Sequence, residues 1–164
     1  MNIKLFLIYL VGLVFFLIGC QPSNQPLTQA EKEEIVSTVN VIHSQLVQAI
    51  NENDADKITS FFLKDEDFKS LFNGNVTIGW EKFSDNVHKW YNANTIKMLK
   101  IEKHYVDVLS RDIVIMTNQG LLTGTDGLGN EINSKNAWNG LFIRQPNIDE
   151  WKILIGHESS EKPY

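Results

Sequence analysis

The sequence predicts an α+β domain in which helices come first and an antiparallel sheet follows. Apolar side chains recur at helical spacing in two stretches of the first half, residues 35–50 and 80–91. After Asn94 the pattern changes to long strand-like segments that are separated by short polar turns. Helices followed by hairpin-linked strands are typical of an α+β fold whose sheet packs over the helices.

Three helices are predicted before the sheet. Thr28 and Glu31 have the spacing of a capping box and should open the first helix. Asp54, in the sequence NEND, is placed to cap a second, short helix. The segment FKSLFNGNVTIGW, residues 68–80, is strand-like and interrupted by glycine. The third helix should follow it, with Trp80 at its start.

Four strands are predicted in the second half, at residues 95–110, 112–125, 131–145 and 150–160. The turns between them are a short polar turn after Ser110, then the sequences DGLGN and PNID. Because the strands are long, we expect the sheet to bend and to wrap around the helices.

Composition excludes several classes of function. The chain has 164 residues, of which 15 are basic and 20 acidic, and the net charge of −5 argues against a nucleic-acid partner. A single cysteine forms neither an internal disulfide nor a thiolate zinc site. The predicted helices contain no His-x-x-x-His or Glu-x-x-His spacing, so we predict no metal and no cofactor.

An apolar segment at the start of the chain is predicted to lie outside the fold. Lys4 precedes an uncharged run, residues 5–18, which is short for a membrane span but fits a secretory leader. The run ends in LIGC, residues 17–20, which resembles the lipobox of bacterial lipoproteins. In that family the leader is cut before the cysteine and a diacylglycerol is attached to its thiol. The alternative is an ordinary leader or an anchor helix with an incidental cysteine.

The lipobox resemblance implies a division of the chain and a location. Residues 1–19 would be the signal peptide, 20–27 the acylated Cys20 with its tether, and 28–164 the folded domain. Acyl chains on Cys20 would hold the domain to a membrane of the bacterial cell envelope, facing outside the cytoplasm.

Several segments of the domain resemble the nuclear-transport-factor-2-like (NTF2-like) fold, and within it the SnoaL-like branch and its DUF4440-type relatives. AINENDADKITSFF resembles the junction between the first two helices, VDVLSRDIVIMTNQG the central hairpin, TDGLGNE a turn, and DEWKILIGHES the last strand. The resemblance implies a cone-shaped domain with a pocket at its wide end, and homodimers through the outer face of the sheet. Relatives of this fold include isomerases, dehydratases, epoxide hydrolases, cyclases and non-catalytic association modules.

The last strand supplies the first candidate site residues. Strand alternation puts Trp151, Ile153, Ile155, His157 and Ser159 on one face, which we predict to point inward because it is the more apolar one. His157 and Ser159 would then lie at the polar end of that row, in the pocket, with His157 as a candidate acid or base. The alternative is a histidine fixed in place at the end of the barrel.

His43 lies within the apolar stripe of the first helix. It is predicted to be a core residue with a hydrogen-bond partner, or else a pocket residue that faces His157. Trp80, Tyr91 and Trp138 are aromatic candidates for the pocket wall, although spacing does not separate this role from core packing.

A comparison with ketosteroid isomerases, which have the fold that these segments resemble, argues against ketosteroid isomerase chemistry in this chain. The position of their first-helix tyrosine corresponds here to Leu46, and the strand at 133–144 contains no Asp or Glu. Paired carboxylates are not evident on the predicted inward faces either.

Three functional hypotheses follow. The leading hypothesis is a lipid-anchored, non-catalytic domain that binds a small apolar ligand or a partner in its pocket. The second is a SnoaL-like isomerase, dehydratase or hydrolase that uses His157 with His43. The third is a dimeric scaffold whose pocket is incidental.

Overall fold

The computed structural model describes residues 26–145 and 149–161, so the proposed leader and Cys20 lie outside the described residues. The domain contains three helices and six strands in this range. In chain order they are α1 (Gln29–Glu52), α2 (Ala55–Ser60), β1 (Lys69–Phe72), β2 (Asn75–Ile78), α3 (Trp80–Ala93), β3 (Thr95–Ser110), β4 (Ile113–Thr125), β5 (Glu131–Gln145) and β6 (Glu150–Ser160). No helix in the described ranges is both long and apolar enough to span a bilayer.

Side-chain caps fix the ends of α1 and the start of α2. Thr28 and Glu31 form the predicted capping box, and Asp54 accepts a hydrogen bond from the first turn of α2. Between the helices Asn53 adopts a left-handed backbone with a φ of 57°. Its side chain accepts from the Ile96 N–H at 2.7 Å and donates to the Ile96 carbonyl at 2.8 Å. This one asparagine therefore ends α1 and ties it to β3.

The six strands form one mixed sheet in the order β2-β1-β6-β5-β4-β3. The four predicted strands, β3 to β6, pair antiparallel as expected, but the sheet as a whole is mixed because β1 pairs with β6 in parallel. The chain already runs alongside β6 when it leaves α2, since Leu63 N–H donates to the Ile153 carbonyl at 2.8 Å. The strand-like segment 68–80 is a hairpin, because Asn73 and Gly74 both have positive φ and close a two-residue turn.

Irregular pairing curves the sheet around the helices. The β3–β4 ladder contains three register shifts, and the β5–β6 ladder contains one, between Leu141 and Phe142. Such bulges increase the local twist and bend the strand. The fully buried side chains Val39, Met116 and Phe142 show that the concave face packs on α1. A second, smaller apolar cluster is centred on Ile96, Leu122 and Ile132.

Candidate functional site

A cavity of about 350 Å³ lies between the helices and the concave face of the sheet. Residues of both apolar clusters line it, so it lies where the two clusters meet. Its apolar wall includes Leu46, Val47, Ile50, Phe62, Phe83, Val87, Ile96 and Leu122. This size and lining are typical of a site for a small organic molecule.

The cavity opens between α3 and the β1–β2 hairpin. Asn75 and Asn86 line the cavity and are also exposed to solvent, which marks this side as its mouth. The Asn86 side chain donates to the Thr77 hydroxyl at 3.4 Å and so connects the helix to the hairpin across the opening.

His43 lies in the cavity wall, where it is buried and hydrogen-bonded. The Asn118 side-chain amide of β4 donates to its Nε2 atom at 2.9 Å, and both residues are less than one-tenth exposed. Burial, and to a smaller extent the neighbouring His104, lowers the pKa of His43 to about 4. The ring is therefore neutral near pH 7 and accepts at Nε2. His43 is therefore buried with a hydrogen-bond partner and is part of the cavity wall, but it does not face His157 as the second prediction required.

A second histidine contacts His43, but it is not the predicted one. The His104 ring of β3 stacks on His43 with centroids 5.0 Å apart. His104 is itself exposed, and its Nε2 lies 2.7 Å from the Asn40 Oδ1 atom on α1. The contacts of the two histidines therefore connect the helices and the sheet: His43 joins α1 to β4 through Asn118, and His104 joins β3 to α1 through Asn40.

The prediction that His157 and Ser159 point into the pocket was wrong. Both side chains are exposed, and neither lines the cavity. Trp151 and Ile153, at the start of the same strand, are buried as expected. The alternation changes at Leu154, the extra residue in the β5–β6 ladder. A one-residue bulge moves every later side chain to the opposite face.

The same bulge turns Gly156 and Glu158 inward, where both line the cavity. Glu158 is thus a pocket carboxylate that strict alternation missed. Its Oε1 atom accepts a hydrogen bond from the side-chain amide of Asn136 at 2.6 Å. A Cβ at Gly156 would lie 3.4 Å from the Phe62 ring and 3.8 Å from the Trp138 indole nitrogen, which are ordinary contact distances, so this glycine gave no sequence signal for the inward face.

Two of the three aromatic candidates line the cavity. Trp138 does so and stacks against His43 with centroids 6.1 Å apart. Tyr91 does so as well, and burial together with the nearby Glu158 charge raises the pKa of its hydroxyl. Trp80 lies outside, where its indole N–H donates to the Thr59 carbonyl at 3.2 Å and Lys64 lies 4.5 Å over its ring.

Few titratable groups lie on the cavity wall. Among the described residues that line the cavity, those that titrate are His43, Tyr91 and Glu158. At neutral pH His43 and Tyr91 are uncharged, whereas Glu158 is an acidic side chain whose Oε1 atom accepts from Asn136. The predicted pair of His43 and His157 is not assembled. In the described part of the chain, no three His, Cys, Asp or Glu side chains come together as metal ligands would.

Comparisons with known proteins identify the fold. No family model and no curated protein matches the sequence. Among solved structures, a hexachlorocyclohexane dehydrochlorinase, LinA-type3, from Novosphingobium barchaimii superposes with a TM-score of 0.68 at 14% identity, covering 82% of this chain and 92% of that one. A ketosteroid isomerase-like protein from Erwinia carotovora gives 0.66 at 13% identity, covering 77% and 96%.

An NTF2-like protein of unknown function in nutrient uptake from Rhodospirillum rubrum gives a TM-score of 0.63 at 14% identity. The match covers 74% of this chain and 96% of that one. At such identities the likeness concerns the fold alone, since one fold hosts many activities. The chain therefore has the NTF2-like fold, with helices enclosed by a curved mixed sheet of six strands.

Proposed function

We propose that this domain binds a small, largely apolar molecule in its cavity without transforming it. The observation that supports this proposal is the cavity itself, which is open, mostly apolar and about 350 Å³ in volume. An apolar void in a core costs stability, because the side chains around it lose packing contacts. A bound molecule restores those contacts and stabilises the folded state by an amount that grows with the logarithm of its concentration above Kd.

Polar groups on the wall could orient a ligand. His43 of α1 with Asn118, and Glu158 with Asn136, form two hydrogen-bonded pairs on the cavity wall. A few fixed polar groups in an otherwise apolar pocket are the usual means of orienting a small molecule.

The state of His43 favours binding over acid–base catalysis. Its Nε2 atom is occupied by the Asn118 amide at 2.9 Å, and its pKa of about 4 makes it a weak base at neutral pH. An efficient general base has a pKa near the working pH and a free path to the proton that it removes.

We also propose that the domain is held to a membrane outside the cytoplasm through lipid on Cys20. The sequence LIGC and the uncharged leader before it support this part of the proposal. Leu27, the last residue of the proposed tether, already packs against the core. Eight tether residues reach at most about 30 Å, which would keep the domain close to the bilayer. Homodimer formation through the outer face of the sheet stays a prediction.

Native mass spectrometry of the full chain, purified in mild detergent, tests the binding proposal. We expect the spectrum to show a retained small molecule whose mass is unchanged. We also expect calorimetry to show saturable binding of phenylpropanol to the chain. Val87→Phe places a ring in the cavity and should weaken binding by about tenfold or more. Val41→Phe is the matched control, because Val41 is 55% exposed and does not line the cavity.

Equal binding by both variants would refute the cavity as the site. Conversion of the retained molecule into a product of different mass would refute the non-catalytic part and leave an enzyme as the explanation.

A further inference from the structure

We infer that the molecule bound in the cavity is an uncharged alcohol or phenol, whose hydroxyl group donates a hydrogen bond to the Oδ1 atom of Asn118. This inference rests on the binding function proposed above and names the chemical class of the ligand. Three observations support it: the way in which His43 holds the Asn118 amide, the apolar side chains next to that amide, and the separation of Asn118 from Glu158 in the sheet.

A neutral histidine holds the Asn118 amide in one orientation. The Nδ2 atom of Asn118 donates to the His43 Nε2 atom at 2.9 Å, and Asn118 is only 5% exposed. His43 accepts this hydrogen bond because burial lowers its pKa to about 4 and keeps the ring neutral at pH 7. An amide group is planar, so the contact that fixes Nδ2 also fixes the position of Oδ1.

The Oδ1 atom of Asn118 is a buried acceptor to which no residue in the described part of the chain donates a hydrogen bond. Asn118 lines the cavity and its Nδ2 atom is turned to His43, so Oδ1 is the polar atom that this side chain presents to a ligand. A buried acceptor without a donor is unfavourable, and a ligand that supplies a donor removes that cost. A hydroxyl group supplies one, whereas a carboxylate brings only further acceptors at neutral pH.

Apolar side chains lie next to this amide on both elements that carry the pair. Leu46 and Val47 follow His43 by three and four residues, which puts them on the same face of α1 one turn further along. Leu122 follows Asn118 by four residues on the same face of β4. All three line the cavity. A ligand whose hydroxyl group meets Asn118 therefore places its carbon skeleton against apolar side chains.

A charged amine fits this position less well than an alcohol does. The strand register pairs Asn118 with Trp138 and Trp138 with Glu158, so Trp138 stands between the other two in one row across the sheet. Two strand spacings separate β4 from β6, which is about 10 Å. Glu158 also accepts from Asn136 at 2.6 Å. A cation at Asn118 would therefore exchange its hydration for a neutral amide, which does not compensate the loss.

Calorimetry on the full chain tests this inference with phenylpropanol and its methyl ether. The ether has the same body and the same oxygen atom, but it has no hydrogen to donate. We expect the alcohol to bind about tenfold or more tightly than the ether, because the ether leaves Oδ1 of Asn118 without a donor. Phenylpropanoate and phenylpropylamine, which have the same body and a charged end, should bind more weakly than the alcohol.

Asn118→Leu removes the amide at nearly constant volume and should abolish the preference for the alcohol over the ether. A preference caused by the extra methyl group of the ether would persist in this variant. Asn139→Leu is the matched control, because Asn139 is an exposed asparagine on β5 that donates to the Thr117 hydroxyl at 2.6 Å. This control also loses a cross-strand hydrogen bond, yet it should keep the preference.

A second measurement does not depend on the stability of a variant. In the isotope-labelled wild-type chain, the side-chain amide resonances of Asn118 should shift when the alcohol binds and should shift less when the ether binds. Thermal unfolding checks that Asn118→Leu and Asn139→Leu are folded.

The outcomes separate this inference from the proposal on which it rests. If the wild type binds the alcohol and the ether equally, or if Asn118→Leu keeps the preference, the assignment of a hydroxyl group at Asn118 is wrong while the binding function stands. Tighter binding of phenylpropanoate or phenylpropylamine than of the alcohol would show that the ligand is not uncharged. If none of the four probes binds, the binding function itself is wrong, and the alcohol assignment fails with it.

Discussion

The buried His43 should make the free energy of unfolding depend on pH. Its pKa is about 4 in the folded protein, compared with 6.5 for an unperturbed histidine. The unfolded chain therefore takes up a proton at His43 at a higher pH than the folded chain does. This contribution to stability is fully present above pH 6.5 and is lost as the pH falls toward 4.

The size of the effect follows from the two pKa values. At about pH 4 the unfolded state is almost fully protonated at this histidine, while the folded state is about half protonated. The difference corresponds to about 3 kcal/mol of lost stability relative to about pH 7. His43 is only 7% exposed, so solvent screening reduces this value little.

Urea unfolding followed by tryptophan fluorescence measures the effect in wild type and His43→Gln at about pH 7 and about pH 4. Glutamine keeps a hydrogen-bond acceptor for Asn118 but does not titrate. Between about pH 7 and about pH 4 we expect the free energy of unfolding to fall by about 3 kcal/mol more in the wild type than in His43→Gln. The carboxylates are common to both proteins and cancel in the difference. His157→Gln, at an exposed position, should behave as wild type does. Equal pH dependence in wild type and His43→Gln would refute the assignment of a buried, neutral His43.

Four further substitutions, at three positions, test the anchor and the scaffold. Cys20→Ser should release or misprocess the protein, and membrane fractionation that still finds the mature size would contradict lipid attachment. Gly140→Ala should lower the free energy of unfolding by about 1 to 3 kcal/mol, because a Cβ there would overlap the Trp138 ring. Asn53→Ala should cost about 2 to 4 kcal/mol, because it removes the left-handed cap and both hydrogen bonds to Ile96. Asn53→Gly keeps the left-handed backbone geometry, so in the same urea titration it should lower the free energy of unfolding by less than Asn53→Ala does. An equal loss in both variants would contradict the role of the left-handed φ.

Local signals account for the parts of the fold that the sequence predicted well. The capping box at Thr28 and the cap at Asp54 appear as expected, because both are interactions between near neighbours in the chain. The four long strands end within a residue of the predicted turns, since Asp, Asn and Gly at those turns favour tight reversals.

The parts that failed depend on contacts between distant segments. The parallel pairing of β1 with β6 continues a parallel backbone bridge between Phe62 and Ile153, which are far apart in sequence. The bulge at Leu154 is a feature of the pairing between β6 and β5, and alternation of apolar residues along β6 contains no information on it. Because of the bulged residue Leu154, the cavity is lined by Glu158 and not by His157.

Contacts between a bound probe and the cavity wall test the central claim most directly. Intermolecular nuclear Overhauser effects between the phenyl protons of phenylpropanol and the isotope-labelled full chain report which methyl groups lie within a few ångströms of the ligand. The account predicts cross-peaks to Val47 and Leu122, which line the cavity. Cross-peaks restricted to Val76 and Ile78, which are 58% and 59% exposed on the edge strand β2, would contradict it.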